Sequence, residues 1–164
     1  MRSHSSRPCK VVEAAANPFS VKRHLIITNA PIDESALLAN RKMSPGMGAA
    51  VYFSGVVRGE EAGASISAID YEAFEPMARH QFELIFAEME KRWPVESVRL
   101  IHRIGVVPVN EPSLWVEVIA PHRGEAFAAC QHLIDEMKRL VPIWKKPIAD
   151  DAAAASTPDS REVN

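Results

Sequence analysis

Ala49-Ala50-Val51-Tyr52-Phe53-Ser54-Gly55-Val56-Val57-Arg58 is the stretch that decides the fold. Apolar, β-branched and aromatic residues dominate it up to Val57, the signature of a strand covered on both faces. Arg58 ends the run. Residues 58–64 are polar and glycine-containing, which predicts a mobile loop.

Outward from that strand, the chain mixes short strands with two long helices. Residues 25–28 predict a strand, Pro31-Ile32-Asp33 a turn, and Asp33 or Ser35 the cap of a short helix through Leu38. Pro45, Gly46 and Gly48 punctuate a loop over 43–48. On the C-terminal side, residues 65–74 predict a strand. Glu75-Pro76 then opens a helix with proline in its first turn. Ala78, Phe82, Ile85, Phe86, Met89 and Trp93 share one face of that helix, and Pro94 ends it. Strands are predicted over 98–104, broken by Gly105 and Pro108, and over 114–120. A second long helix is predicted over 124–141, with Phe127, Cys130, Leu133, Ile134, Met137 and Val141 as its apolar stripe and Pro142 as its stop. The irregular order of strands and helices points to an α+β domain, not a doubly wound sheet.

Bulk properties narrow the function. The chain has 164 residues, 47% of them apolar, enough for one core. A net charge of -2 and a pI near 6.3 give no global basic field of the kind nucleic-acid binders carry. Positive charge is local, which favours a discrete anionic ligand. Two cysteines, Cys9 and Cys130, without a CxxC, favour a reducing compartment such as the cytoplasm over a disulfide framework. No stretch approaches the roughly 20 apolar residues that cross a bilayer. Residues 1–23 are basic, with Glu13 as the only acid, and read as a flexible extension or an organellar transit segment. The folded domain is expected over 24–148, followed by a disordered tail over 149–164.

Cations gather near the C-terminal end. Arg58 sits where a buried strand enters the glycine-containing loop, so it can reach over a pocket or simply be solvated. His122-Arg123 closes a strand just before a helix whose free N–H groups and positive dipole end suit an anion; a plain surface pair is the alternative. Lys138 borders the apolar stripe in the last helical turn. Burial there would lower its pKa and make it a nucleophile or general base; otherwise it complements the helix dipole. Lys145 and Lys146 follow Trp144, which can pin the segment; a flexible charged tail is the alternative. The six histidines show no metal-ligand spacing, and GxGxxG, Walker and GxSxG motifs are absent. Cys130 reads as core. His102-Arg103, within a strand, can be a satisfied structural pair.

The order of these signals resembles the molybdopterin synthase catalytic (large) subunit family. The resemblance runs through Ile26-Ile27-Thr28, Pro31-Ile32-Asp33, residues 48–58, Tyr71-Glu72-Ala73-Phe74 with Met77, and Arg92-Trp93-Pro94. It continues through Ile101-His102-Arg103-Ile104-Gly105, His122-Arg123, Lys138 and Pro142-Ile143-Trp144-Lys145-Lys146, covering roughly residues 24–147. It implies an α/β hammerhead-type domain that forms a homodimer. Each protomer would bind a small ubiquitin-like sulfur carrier, giving a heterotetramer. The carrier's C-terminal Gly-Gly thiocarboxylate would convert cyclic pyranopterin monophosphate into the dithiolene of molybdopterin, with no permanently bound cofactor and no metal. By the same resemblance Lys138 and Lys145 are catalytic, and Arg58, His122, Arg123, Lys138, Lys145 and Lys146 bind substrate. The chain departs from the family pattern at Val56, at Asn110-Glu111-Pro112, at Pro147 and in its alanine-rich C-terminal segment. Two other functions fit the same cations: a non-catalytic paralogue that docks a ubiquitin-like tail, and an unrelated phosphate-binding enzyme.

Overall fold

The computed structural model describes residues 21–150; the expectations for the N-terminal extension up to residue 20 and for the tail over 151–164 lie outside the described residues. The elements are β1 (Lys22–Thr28), α1 (Glu34–Ala39), β2 (Ala49–Val56), β3 (Glu60–Glu61), β4 (Ala64–Ala73), α2 (Glu75–Arg92), β5 (Ser97–Arg103), β6 (Gly105–Pro108), β7 (Pro112–Ala120), α3 (Arg123–Leu140) and β8 (Ile143–Ala149). The α+β expectation holds. One sheet has the order β1-β5-β7-β2, with β1 and β5 parallel and the other pairs antiparallel. A second sheet is built on β4, which pairs antiparallel with β3, β6 and β8.

Side-chain alternation explains how the first sheet meets the helices. Leu114, Val116, Val118 and Ala120 of β7, with Val98 and Leu100 of β5, face the stripes of α2 and α3. On α2 the stripe is the expected one, Ala78, Phe82, Ile85, Phe86 and Met89. On α3 it is corrected at one position. Phe127 is 62% exposed, and the small Ala126 and Ala129 face the core with Cys130, Leu133 and Ile134. Burial pushes the Cys130 thiol up to about 11, so it stays protonated as part of the core. Asp33 is the cap of α1: its Oδ1 accepts from the Ala36 N–H at 2.9 Å.

Three expectations change. Burial on both faces belongs to β7, not to residues 49–57. β2 is the sheet edge, and its Tyr52 and Val56 stay exposed. Residues 58–64 form a hairpin, not a loose loop. Ala62 and Gly63 both take positive φ, 51° and 82°, the two-residue turn that fits strand twist. The lysine segment after Pro142 is strand β8, held by its ladder to β4 and not by Trp144, which is exposed. The ordered strands run from Lys22 through Ala149, slightly beyond the expected 24–148 at each end.

Gly105 joins the two sheets. It adopts φ +76°, which turns the chain out of β5 and directly into β6 of the second sheet. Open space surrounds the place where its Cβ would be. Gly105→Ala is therefore expected to lose about 1–2 kcal/mol from backbone strain alone. The check is a urea unfolding midpoint that falls at unchanged m-value; an unchanged midpoint contradicts the hinge role.

Candidate active site

A cavity of about 780 Å3 lies at the seam between the two sheets, beside the end of α3. Phe53 and Leu114 line it from the first sheet, Ile69 and Tyr71 from the second, and Met137 and Val141 from the helix end. These side chains are apolar, and Ser54, His102 and Ser113 add polar surface, so the lining is about equally polar and apolar. Three cations stand over them, Arg58, Lys138 and Lys145.

Each cation is placed by a different element. Arg58 follows Val57, which is buried in the small core of the second sheet with Ile66, Ile69 and Val107. That burial fixes where the exposed arginine starts. Lys138 lies in the last turn of α3, next in sequence to buried Met137. Its side chain is open to solvent, so the burial on which a perturbed lysine was expected is not found. Lys145 stands on β8 opposite Tyr71 and faces the cavity with it.

A carboxylate that the sequence reading did not select sits among these cations. Glu61 lines the cavity, pairs with Lys145, and lies 3.6 Å from Arg58. The Lys145 hydrogen bond and then its charge hold the Glu61 carboxyl below its ordinary range. The available signal was the Ala62-Gly63 dipeptide, a hairpin turn that brings Glu61 against the strand entry.

His102 is the second missed residue. It is buried in β5 yet lines the cavity. Nδ1 lies 2.9 Å from the Arg103 carbonyl, which can only accept, so the proton is on Nδ1. Burial pushes His102 below its ordinary range and keeps the ring neutral. Its edge packs on Tyr71 at 5.5 Å between ring centroids. The signal was period two: His102 shares a face with Val98 and Leu100. Arg103 points the other way and pairs with Glu111, so the divergent Asn110-Glu111-Pro112 turn holds a buried arginine.

The structure does not bring the remaining sequence-selected cations into this cavity within one protomer. Lys146 lies on the opposite face of β8 and bonds Glu72. His122 and Arg123 stand exposed at the start of α3, the end opposite to Lys138. An 18-residue helix separates these ends by about 27 Å. Among the described residues no His, Cys, Asp or Glu cluster is arranged to hold a metal ion, and no helix is long and apolar enough to cross a membrane.

Comparisons with known proteins identify the family. A family model described as MoaE protein matches residues 27–140. A Bos taurus protein named molybdopterin synthase catalytic subunit is 36% identical over 124 residues, which is 76% of this chain and 64% of that protein. The chain thus spans just under two thirds of that relative's length. The solved molybdopterin synthase from Staphylococcus aureus superposes with a TM-score of 0.68 at 32% identity, covering 78% of this chain and 91% of that one. A complex of subunits 1 and 2 of the molybdopterin-converting factor from Helicobacter pylori, at 22% identity and TM-score 0.60 over 77% of this chain and 88% of that one, shares the fold. With its matched segment spanning both long helices and all of the first sheet but the opening residues of β1, the chain belongs to the MoaE protein family.

Proposed function

We propose that the protein is the catalytic large subunit of a molybdopterin synthase, acting in the cytoplasm. It would take sulfur from the C-terminal thiocarboxylate of a small ubiquitin-like carrier and deliver it to cyclic pyranopterin monophosphate. Two such transfers, from two thiocarboxylated carriers each left as a carboxylate, supply the two sulfurs of the molybdopterin dithiolene. The observation that carries this reading is the convergence of Arg58, Lys138 and Lys145 on one cavity in a chain of this family. Both partners of the reaction bring negative charge, and a tail ending in two glycines is slim.

Roles follow from position. Lys138, at the cavity rim on a rigid helix, orients the thiocarboxylate and carries protons. Lys145, held on β8, polarises the pterin side. Fixed cations aimed at developing negative charge are the main rate contribution in this reading. Sulfur arrives on the carrier, so neither a cysteine of this chain nor a resident cofactor or metal is required. Lys146 supports β8 through Glu72, on the face turned away from the cavity.

His122 and Arg123 enter this reading through a second copy of the chain. In a two-fold homodimer, the start of one α3 can approach the end of the other, and each cavity is then completed by the neighbour's His122 and Arg123. With one carrier on each protomer, the assembly is a heterotetramer.

Two experiments follow, both using thiocarboxylated carrier and cyclic pyranopterin monophosphate. Lys138→Ala is expected to lower dithiolene formation at least about a hundredfold while the dimer persists on size-exclusion chromatography. Retained turnover removes the lysine from the mechanism. Mixing Lys138→Ala with a His122→Ala/Arg123→Ala double variant, each inactive alone, is expected to restore about a quarter of wild-type activity through mixed dimers. No recovery after subunit exchange rules out sites shared across the dimer.

A further inference from the structure

We infer that Glu61 is a specificity-determining residue: its carboxylate occupies the anion position between Lys145 and Arg58, so any anionic ligand group must displace it. Two of the three cavity cations are already engaged by this one side chain. One of the cluster's three positive charges is thus offset from within, by a carboxylate shared between Lys145 and Arg58.

The hairpin makes this competitor a permanent one. Glu61 is the last residue of β3 and pairs with Ala64 across the Ala62-Gly63 turn. The turn is the two-residue type that matches strand twist, so the carboxylate is presented from a short, defined arm. Glu61 is only 18% exposed, against 54% for Lys145 and 81% for Arg58. Its lowered proton affinity keeps it ionised at neutral pH. Its neighbour Glu60 is exposed and does not line the cavity.

An internal competitor acts at a fixed effective concentration, on the order of millimolar for groups joined by a short tether. A free anion in solution must outcompete it with nothing but its own charge. A tail attached to a carrier that docks elsewhere on the protein also acts at a high effective concentration, and so exchanges with Glu61 on even terms. This last step rests on the proposed function. The consequence is selectivity: simple phosphate and carboxylate ions, which bring charge alone, are disfavoured at Lys145 and Arg58, while a tethered tail, or a phosphate carried on a pterin that the rest of the cavity also holds, displaces Glu61.

Inorganic phosphate and acetate, titrated into the full-length chain, test this with isothermal titration calorimetry and the side-chain NMR signals of Arg58, which every variant keeps, as readout. Glu61→Gln is expected to bind phosphate about fivefold more tightly than wild type, the scale of an exposed ion pair. Glu60→Gln, which changes net charge equally, is expected to leave affinity unchanged. Adding Lys145→Gln to Glu61→Gln is expected to abolish the gain. Equal affinities for wild type and Glu61→Gln overturn the inference. So does equal tightening in both glutamine variants, or a gain that survives loss of Lys145. The titration needs no carrier, so it is independent of turnover. If Glu61→Gln tightens phosphate binding but the wild type makes no dithiolene, the proposed function falls and the displaced carboxylate stands. If dithiolene forms but Glu61→Gln changes nothing, the reverse holds.

Discussion

The antiparallel register of β8 against β4, with Lys145 opposite Tyr71, is the constraint on which the site depends. Successive strand side chains point to opposite faces, so a slip of one residue would exchange Lys145 for Lys146 in the cavity. The register is set from both ends. At the start, Val141 closes α3 by donating to the Met137 carbonyl at 3.0 Å, and Phe74 donates to the Pro142 carbonyl at 3.3 Å. Ile143 then packs against the main core beside that helix end. At the far end, Ser67 reaches the Ala149 carbonyl at 3.1 Å. Because so few residues join α3 to β8, the chain itself holds Lys138 near Lys145.

The remaining parts of the site depend on how the two sheets meet. Gly105 lets β5 continue as β6, so His102 in the first sheet sits against Tyr71 in the second. Val57, leaving the edge strand β2, is buried in the second sheet's small core, and Arg58 follows it at the cavity. The cavity is thus a junction between two packed bodies and not a groove on either one. A junction of this kind places charges from strand, hairpin and helix around one space.

Much of this was legible in the sequence. The stripe of α2 is a clean helical period, and proline marks its start and finish, so both extent and buried face were readable. The stripe of α3 was readable except at Phe127, where small Ala126 and Ala129 serve a close helix–sheet contact that hydrophobicity alone does not reveal. β8 was not readable. Lys145, Lys146 and Pro147 break apolar alternation, and their strand state comes from the ladder to β4, on an edge where proline is tolerated. Residues 49–57 carried an apolar run, but hydrophobicity does not report how many neighbours a strand has. β7, with Glu117 buried against Arg99, is the strand covered on both faces. His122 and Arg123 are close to Lys138 in sequence but are separated by the length of a helix, so grouping them by sequence assigned one cavity to both ends of α3.

The site that results is an anion receptor with its own anion already in place. Its lysines stand on a helix end and on a paired strand, and the exposed edges at Tyr52 and Trp144 leave surface for other chains. The most direct measurement is a crystal structure of the assembled complex with the carrier tail bound. The expected result is the last glycine of the tail inside the cavity, its carboxylate about 3 Å from the Nζ of Lys138 or Lys145. A tail seated elsewhere on the protein, with both lysines facing empty space, contradicts the convergence of these cations as the functional centre.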